Sequence, residues 1–272
     1  MVAEEKTTLN KMNCKKRKNK TNLITPISNH DTFIGGPHGG YNNELTIFHL
    51  NIQKNMLKAD KFEIIESYAK SGADVIFIYE PGIEDSDHFP RDKFYNYDFT
   101  PINKKYLIVL TKTSSKLAVE EVVTTEATIM AKVTGRQLTV LGTYNRRSRD
   151  RVGTETLDVY KHEERFNNLR IALTKGLHNA CKKCVLGGDF NLDLSQTGQK
   201  KQANGIKFFL KKRGFTLDNF DYTRRPQKAG ESHTRPDWVA HRAFPGAVTD
   251  TFYEPLSDHD LCVILPIQEK WN

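Results

Sequence analysis

Cys184-Val185-Leu186-Gly187-Gly188-Asp189-Phe190-Asn191-Leu192-Asp193 is a short apolar run that ends in two glycines, an aspartate and an asparagine. It reads as a buried strand that delivers Asp189 and Asn191 to a site. Alternate side chains on a strand share a face, so Asp189 and Asn191 are expected on one side and Phe190 on the other. Gly187 and Gly188 leave room for something to approach the backbone closely. A carboxylate and a carboxamide at this spacing suit work on a phosphate: one orients or deprotonates a nucleophile, the other holds a non-bridging oxygen. The same residues also fit a plain strand end followed by a polar turn, and the rest of the chain decides between the two.

Working outward, Phe166, Leu169, Leu173 and Leu177 recur at helical spacing and predict a long amphipathic helix over 155–180 before this strand. Ile206, Phe209 and Leu210 mark a second helix after it, ending at Gly214. Further upstream, Leu45 to Asn51 alternates and predicts a strand, Lys58 to Lys70 a helix stopped by Gly72, and Asp74 to Glu80 a strand apolar enough to be buried on both faces. Strand, helix and strand in so short a span open an α/β domain, with Asn51 and Glu80 left at strand ends. The stretch from Tyr106 to Tyr144 instead reads as four strands, 106–110, 117–123, 127–133 and 138–144, the last two joined by a turn at Thr134-Gly135-Arg136. This β-rich middle excludes a simple doubly wound fold. Asp237 to His241 predicts a short strand and Leu261 to Ile267 the final one, entered through Asp258-His259-Asp260. Tyr222 to Arg235 reads as a polar, basic loop, and His162 and His178 as lone exposed histidines.

The 272 residues suffice for one large core. A net charge of +8 and a pI near 9.2 favour an acidic partner, either nucleic acid or an anionic membrane surface. Cys14, Cys181, Cys184 and Cys262 form no disulfide framework, which points to a reducing compartment. Cys181 and Cys184 make a lone CxxC leading into a strand, so both are expected to be structural. No stretch has the length and apolarity of a membrane span, and the N-terminus lacks a signal-peptide core, so an intracellular protein is expected. Residues 1–43 lack apolar periodicity, carry the basic run Lys15 to Lys20 and the Gly-rich Gly35 to Gly40, and read as a flexible basic tail ahead of a domain over 44–272. The run fits a nuclear-import signal, a nonspecific grip on nucleic acid or a solvated charge cluster. Past Tyr144, Arg146, Arg147, Arg149 and Arg151 put guanidinium groups where the chain leaves the sheet, suited to forked phosphate contacts or to a solvated loop.

Asn51, Glu80, Tyr144, Asp189, Asn191, Asp237, Asp258 and His259 thus all fall at or beside predicted strand ends. In order, Leu50-Asn51-Ile52-Gln53, Ile78-Tyr79-Glu80-Pro81, Gly187-Gly188-Asp189-Phe190-Asn191 and Ser257-Asp258-His259-Asp260 resemble the motifs of the endonuclease/exonuclease/phosphatase superfamily, over about residues 45 to 267. The resemblance implies a four-layer α/β sandwich of two packed mixed sheets flanked by helices, the DNase I-like fold, and hydrolysis of phosphate esters with Mg²⁺ or Mn²⁺. By the same resemblance Glu80 binds the metal with Asn51 and Asp258 in or near its shell. Asp189 orients or deprotonates water, Asn191 and Tyr144 stabilise charge on phosphoryl oxygens, and His259, held by Asp237, donates to the phosphate.

Within the superfamily, Leu186 to Asp193 and the Asp258-His259-Asp260 ending look most like the endonuclease domain of non-LTR retrotransposons, which nicks DNA to prime reverse transcription. That likeness implies DNA as partner, and Arg146, Arg147, Arg149, Arg151, Arg224, Arg225 and Arg235 fit a DNA track; a nuclear location is expected, and the chain is either a domain of an element whose reverse transcriptase lies outside it, a truncated element or a stand-alone host protein. Asn145-Arg146-Arg147 departs from the prolines many relatives carry there. A cellular relative remains an alternative, whether an abasic-site or nonspecific DNase or a phosphoinositide or sphingolipid phosphoesterase. So does an inactive nucleic-acid-binding relative.

Overall fold

The computed structural model describes residues 45–84, 87–125, 127–135, 137–146, 155–193, 200–218, 222–227, 229, 232–244, 248–252 and 257–265. The basic tail and Arg147, Arg149 and Arg151 lie outside the described residues. Among the described residues twelve strands run in chain order: β1 Ile47–Asn51, β2 Val75–Tyr79, β3 Tyr97–Asn103, β4 Leu107–Lys112, β5 Ala118–Thr124, β6 Thr128–Thr134, β7 Leu138–Asn145, β8 Lys183–Asp189, β9 Thr216–Leu217, β10 Asp237–Arg242, β11 Val248–Phe252 and β12 Leu261–Leu265. The helices are α1 Ala59–Lys70, α2 Glu155–Leu177 and α3 Lys200–Lys211.

The strands form two mixed sheets of six, ordered β11-β12-β1-β2-β4-β3 and β5-β6-β7-β8-β10-β9. Each sheet has one parallel pair at its centre, β1 with β2 and β7 with β8, joined across α1 and α2 respectively. The other pairings are antiparallel. Parallel pairing requires a crossover, and the long apolar-faced helix between each pair supplies it.

Period-two alternation sorts the side chains into layers. Ile47, Val75, Phe77, Val109, Ile129, Ala131, Val140, Val185 and Val239 meet between the sheets. Their neighbours Phe48, Leu50, Ile76, Ile78, Leu261 and Val263 face the other way and pack with Ile65, Tyr68 and Ala69 of α1. Met130, Leu141, Leu186, Trp238 and Ala240 likewise meet Leu169, Leu173, Ala203, Ile206 and Leu210 of α2 and α3. The result is the helix, sheet, sheet, helix sandwich the resemblance implies.

The two glycines of β8 are spaces filled by the protein itself. A Cβ at Gly187 would stand 2.3 Å from His49 Nε2, so this position admits the His49 ring from the opposite sheet. Gly188, at φ +138°, lies against the Thr143 carbonyl of β7, which a Cβ would meet at 2.0 Å. At Gly142 the close neighbour is the Phe77 ring. Cys184 is buried and Cys181 half-buried, both as free thiols, and burial pushes the Cys184 thiol up to about 12, so it stays protonated. His178 is exposed; the side chain of His162 lies outside the described residues.

Candidate active site

Topology alone brings the site residues to one end of the sheets. The carboxyl ends of the parallel strands β1, β2, β7 and β8 and the amino ends of their antiparallel partners β10 and β12 share one end of the sandwich. In register, Asn51 lies opposite Tyr79, Tyr144 opposite Asp189, and Asp189 opposite Asp237. Asn51, Tyr144, Asp189 and Asp237 also continue the inward-facing series of their strands, so they cap the core between the two sheets. All four are buried. Polar groups at such a place persist only when hydrogen-bonded.

The bonds link both sheets. Asn51 Nδ2 donates to Asp189 Oδ2 at 2.9 Å and to Glu80 Oε1 at 3.4 Å, while the Tyr144 hydroxyl donates to the same Glu80 oxygen at 2.7 Å. Glu80 follows β2 directly and takes φ +50°, a left-handed turn that aims its carboxylate across the gap. Burial, with Glu80 and Asp189 nearby, raises Tyr144 well above the usual phenol range, so it remains a donor.

Asp189 and Asn191 do converge, though by a different route from strand alternation. β8 ends at Asp189, and Asn191 sits in the left-handed region at φ +48°. The Asn191 amide nitrogen donates to Asp189 Oδ1 at 2.8 Å, and Asn191 Nδ2 donates to Asp189 Oδ2 at 3.1 Å and to the Asn145 carbonyl at 2.8 Å. The Asn191 amide is therefore occupied in holding Asp189.

On the other side, His259 Nδ1 pairs with Asp237 Oδ2 at 2.7 Å, and the Thr223 hydroxyl donates to the same oxygen at 2.8 Å. Burial opposes charge on His259, but the Asp237 carboxylate, its hydrogen bond, and Asp189 and Asp258 outweigh it and raise the imidazole to about 9. His259 is then an imidazolium at neutral pH, with Nε2–H turned to the side where Asp258 Oδ1 lies 3.6 Å away. Asp258 accepts from Arg224 Nε at 2.7 Å through one oxygen and from Gln53 Nε2 through the other. Ser257 Oγ donates to the Asn51 carbonyl at 2.6 Å and accepts from the His259 amide at 3.1 Å, tying the His259 loop to β1.

The arginines divide. Arg146 lies over the Tyr106 ring at 4.4 Å, and Tyr106 stacks on Tyr144 at 5.9 Å, so a guanidinium flanks the site. Arg225 has both arms engaged, NH1 on Asp260 and NH2 on the Ser257 carbonyl. Arg235 is half-buried two residues before β10, and its carbonyl accepts from Trp238 Nε1 at 3.2 Å.

Two places suit a metal. Asp189, Asp237 and His259 offer ligand atoms within 4.8 Å of one another. There His259 Nδ1 is already paired with Asp237 Oδ2 at 2.7 Å, which leaves its Nε2 and the carboxylate oxygens as the candidate ligand atoms. Glu80 fits better: its Oε1 carries both hydrogen bonds, and its Oε2 has no partner among the described residues. A hard carboxylate oxygen beside the site matches Mg²⁺ or Mn²⁺, which keep several waters and share coordination with phosphate.

Gln53, Thr223, Ser257 and Asn145 had no role in the sequence reading. Gln53 and Ser257 stood inside the quoted motifs, next-but-one to Asn51 and next to Asp258. Thr223 and Asn145 act through contacts 14 and 46 residues away along the chain.

Two mixed six-stranded sheets with polar residues at one end define the DNase I-like sandwich. Solved structures with this fold include an AP endonuclease from Archaeoglobus fulgidus (TM-score 0.59, 16% identity, covering 81% of this chain and 98% of that one). The 3′ phosphatase NExo from Neisseria, bound to a product DNA hairpin, matches at TM-score 0.59 and 16% identity over 82% of this chain and 100% of that one. D. rerio TDP2 complexed with single strand DNA product matches at 0.56 and 17% over 82% and 98%. These structural neighbours belong to the endonuclease/exonuclease/phosphatase superfamily. No protein-family profile and no curated protein sequence matches the chain.

Proposed function

We propose that this protein is a divalent-metal-dependent phosphodiesterase of the endonuclease/exonuclease/phosphatase superfamily, acting as a DNA endonuclease that nicks target DNA as in non-LTR retrotransposition. The observation that carries the reading is the meeting of two fixed groups at one end of the sheets: the Asp189 carboxylate, held by Asn51 and Asn191, and the buried His259 imidazolium, held by Asp237, have ligand atoms within 4.8 Å of one another. A positioned base and a positioned cation on either side of a phosphorus are what in-line attack by water requires.

In this account Asp189 accepts the proton of the attacking water, and the hydrogen bonds from Asn51 and Asn191 keep its carboxylate aimed. His259 presents Nε2–H to a non-bridging oxygen and stabilises the charge that builds there. Tyr144 and Asn51 hold Glu80, whose free oxygen would bind Mg²⁺ or Mn²⁺; bound there, the metal would supply Lewis-acid stabilisation of phosphoryl oxygens. The net charge of +8 and Arg146 beside the site support a polyanionic substrate. Among the described residues no helix is long and apolar enough to cross a membrane.

Incubation with supercoiled plasmid, an abasic-site oligonucleotide and a phosphoinositide, each with Mg²⁺ or EDTA, tests this. Metal-dependent nicking of intact plasmid without strong abasic preference, lost in Glu80→Ala, supports the retroelement-type endonuclease. Cleavage confined to the abasic oligonucleotide favours a repair nuclease, and phosphate release from the lipid alone overturns DNA as substrate.

A further inference from the structure

Two arginines adjacent in sequence are used in opposite ways. Arg225 meets its partners with the fork, placing NH1 on Asp260 and NH2 on the Ser257 carbonyl, as a structural arginine does. Arg224 meets Asp258 with Nε alone, at 2.7 Å. The four N–H groups of its fork have no partner among the described residues, although its side chain is only 21% exposed. Asp258 has no freedom to swing toward the fork, because its second oxygen holds Gln53 Nε2.

The backbone fixes where the fork lies. Arg224 is bridged to His259 in antiparallel register, and Arg225 N to Asp258 O and Asp260 N to Thr223 O, both 2.7 Å, clamp the two segments together. The carboxylate that takes Arg224 Nε is the one whose other oxygen lies 3.6 Å from His259 Nε2. A guanidinium whose fork has no partner among the described residues thus stands one carboxylate away from the His259 imidazole. Five donors and a permanent charge, anchored through one donor, form a ready-made clamp for an anionic tetrahedral group.

Building on the phosphodiesterase reading, we infer that Arg224 is a substrate ligand of this site: its fork binds the non-bridging oxygens of the reacting phosphate alongside His259, and Asp258 is the positioning residue that aims it.

Two measurements on the full chain separate this from the reading it builds on. In EDTA, the affinity for a fluorescent duplex is followed by anisotropy against KCl for the wild type, Arg224→Ala and Arg224→Lys, with thermal melting as a folding control. Loss of one phosphate contact makes the slope of log affinity against log salt shallower by about 0.9 in Arg224→Ala, while Arg224→Lys keeps it. In Mg²⁺, Arg224→Ala lowers the single-turnover nicking rate by about 10²- to 10³-fold, and added guanidinium ion, but not sodium at equal ionic strength, restores part of it. An unchanged salt slope overturns the inference whatever the nicking shows. A shallower slope without guanidinium rescue places Arg224 on DNA away from the reacting phosphate and also overturns it. A wild type that nicks nothing fails the phosphodiesterase reading, and the EDTA slope then decides the phosphate contact by itself.

Discussion

Replacing Gly187 by alanine tests the joint between the two sheets directly beneath the site. The added methyl would lie 2.3, 2.5 and 2.6 Å from Nε2, Cδ2 and Cε1 of His49. Comfortable contact needs roughly 3.5 Å, so the ring must shift by roughly 1 Å. It has little room to do so. His49 stacks on Phe77 at 4.9 Å, and its Nδ1 is 2.8 Å from the Tyr79 hydroxyl. Overpacking of this kind costs about 2 kcal/mol. Loss of the Tyr79 bond adds about 1 kcal/mol. A total of about 3 kcal/mol lowers the melting temperature by about 6 to 12 °C for a domain of this size. Nicking should fall too, since Asp189 is two residues along the same strand. The assay is a double-mutant cycle by urea unfolding, pairing Gly187→Ala with His49→Ala. The smaller residue at 49 makes space for the methyl, so the double variant is more stable than the sum of the single effects predicts, by about 1.5 kcal/mol or more, and regains part of the activity. Additivity within about 0.5 kcal/mol would show that the ring and the glycine do not meet.

The charge on His259 predicts a pH profile. With the imidazole raised to about 9, nicking declines as pH rises through that value, and the stabilisation from the Asp237 pair, complete below about pH 6.5, is lost over the same rise. In Asp237→Asn the largest offset to burial is lost, so the alkaline limb of the rate profile moves to lower pH and the rate at pH 7 falls on the order of 10²-fold; an unmoved limb would mean another group sets it. His49 predicts the opposite acid behaviour. Burial holds it down to about 3, so stability is complete above about pH 6.5 and drains as pH falls toward 3. At pH 5 that loss amounts to about 2 kcal/mol, and unfolding of His49→Leu should lack this component of the pH dependence.

Much of the fold was legible because its central elements are strongly patterned. β1, α1, β2, β6, β7, β8 and β10 fall within one or two residues of the predicted spans, since each buries at least one continuous apolar face. β3, β9 and β11 were not foreseen. β3 is an edge strand with mostly half-exposed side chains and a register shift beside Pro101, so neither alternation nor apolarity marks it. β9 has only two residues, and β11 lies at the opposite edge of the sheet that β3 borders. Tyr222 to Arg235 reads as loop because the strand pairing of its described residues is confined to isolated bridges, Arg224 with Thr234 and Arg224 with His259. Yet these bridges bring Thr223 to Asp237 and Arg224 to Asp258.

The polar residues of the site were legible at strand ends, but their division of labour was not. Asn191 and Tyr144 carry groups suited to a phosphoryl oxygen, yet their donors are committed to Asp189, Asn145 and Glu80. Such commitments depend on contacts between the two sheets, as between Asn51 and Asp189 at a separation of 138 residues, and local spacing does not record them. The glycine pair shows the same limit. It signals a close approach, and only the packed sheets identify the visitors as His49 and the Thr143 carbonyl.

On the proposed function, Asp189 activates water for attack on a DNA phosphodiester. Single-turnover nicking by Asp189→Asn, with duplex affinity measured alongside in EDTA, tests it most directly. The expected rate is lower by orders of magnitude at nearly unchanged affinity, because the amide keeps the shape but cannot take the proton. A loss of only a few-fold would contradict it and remove Asp189 from the reaction.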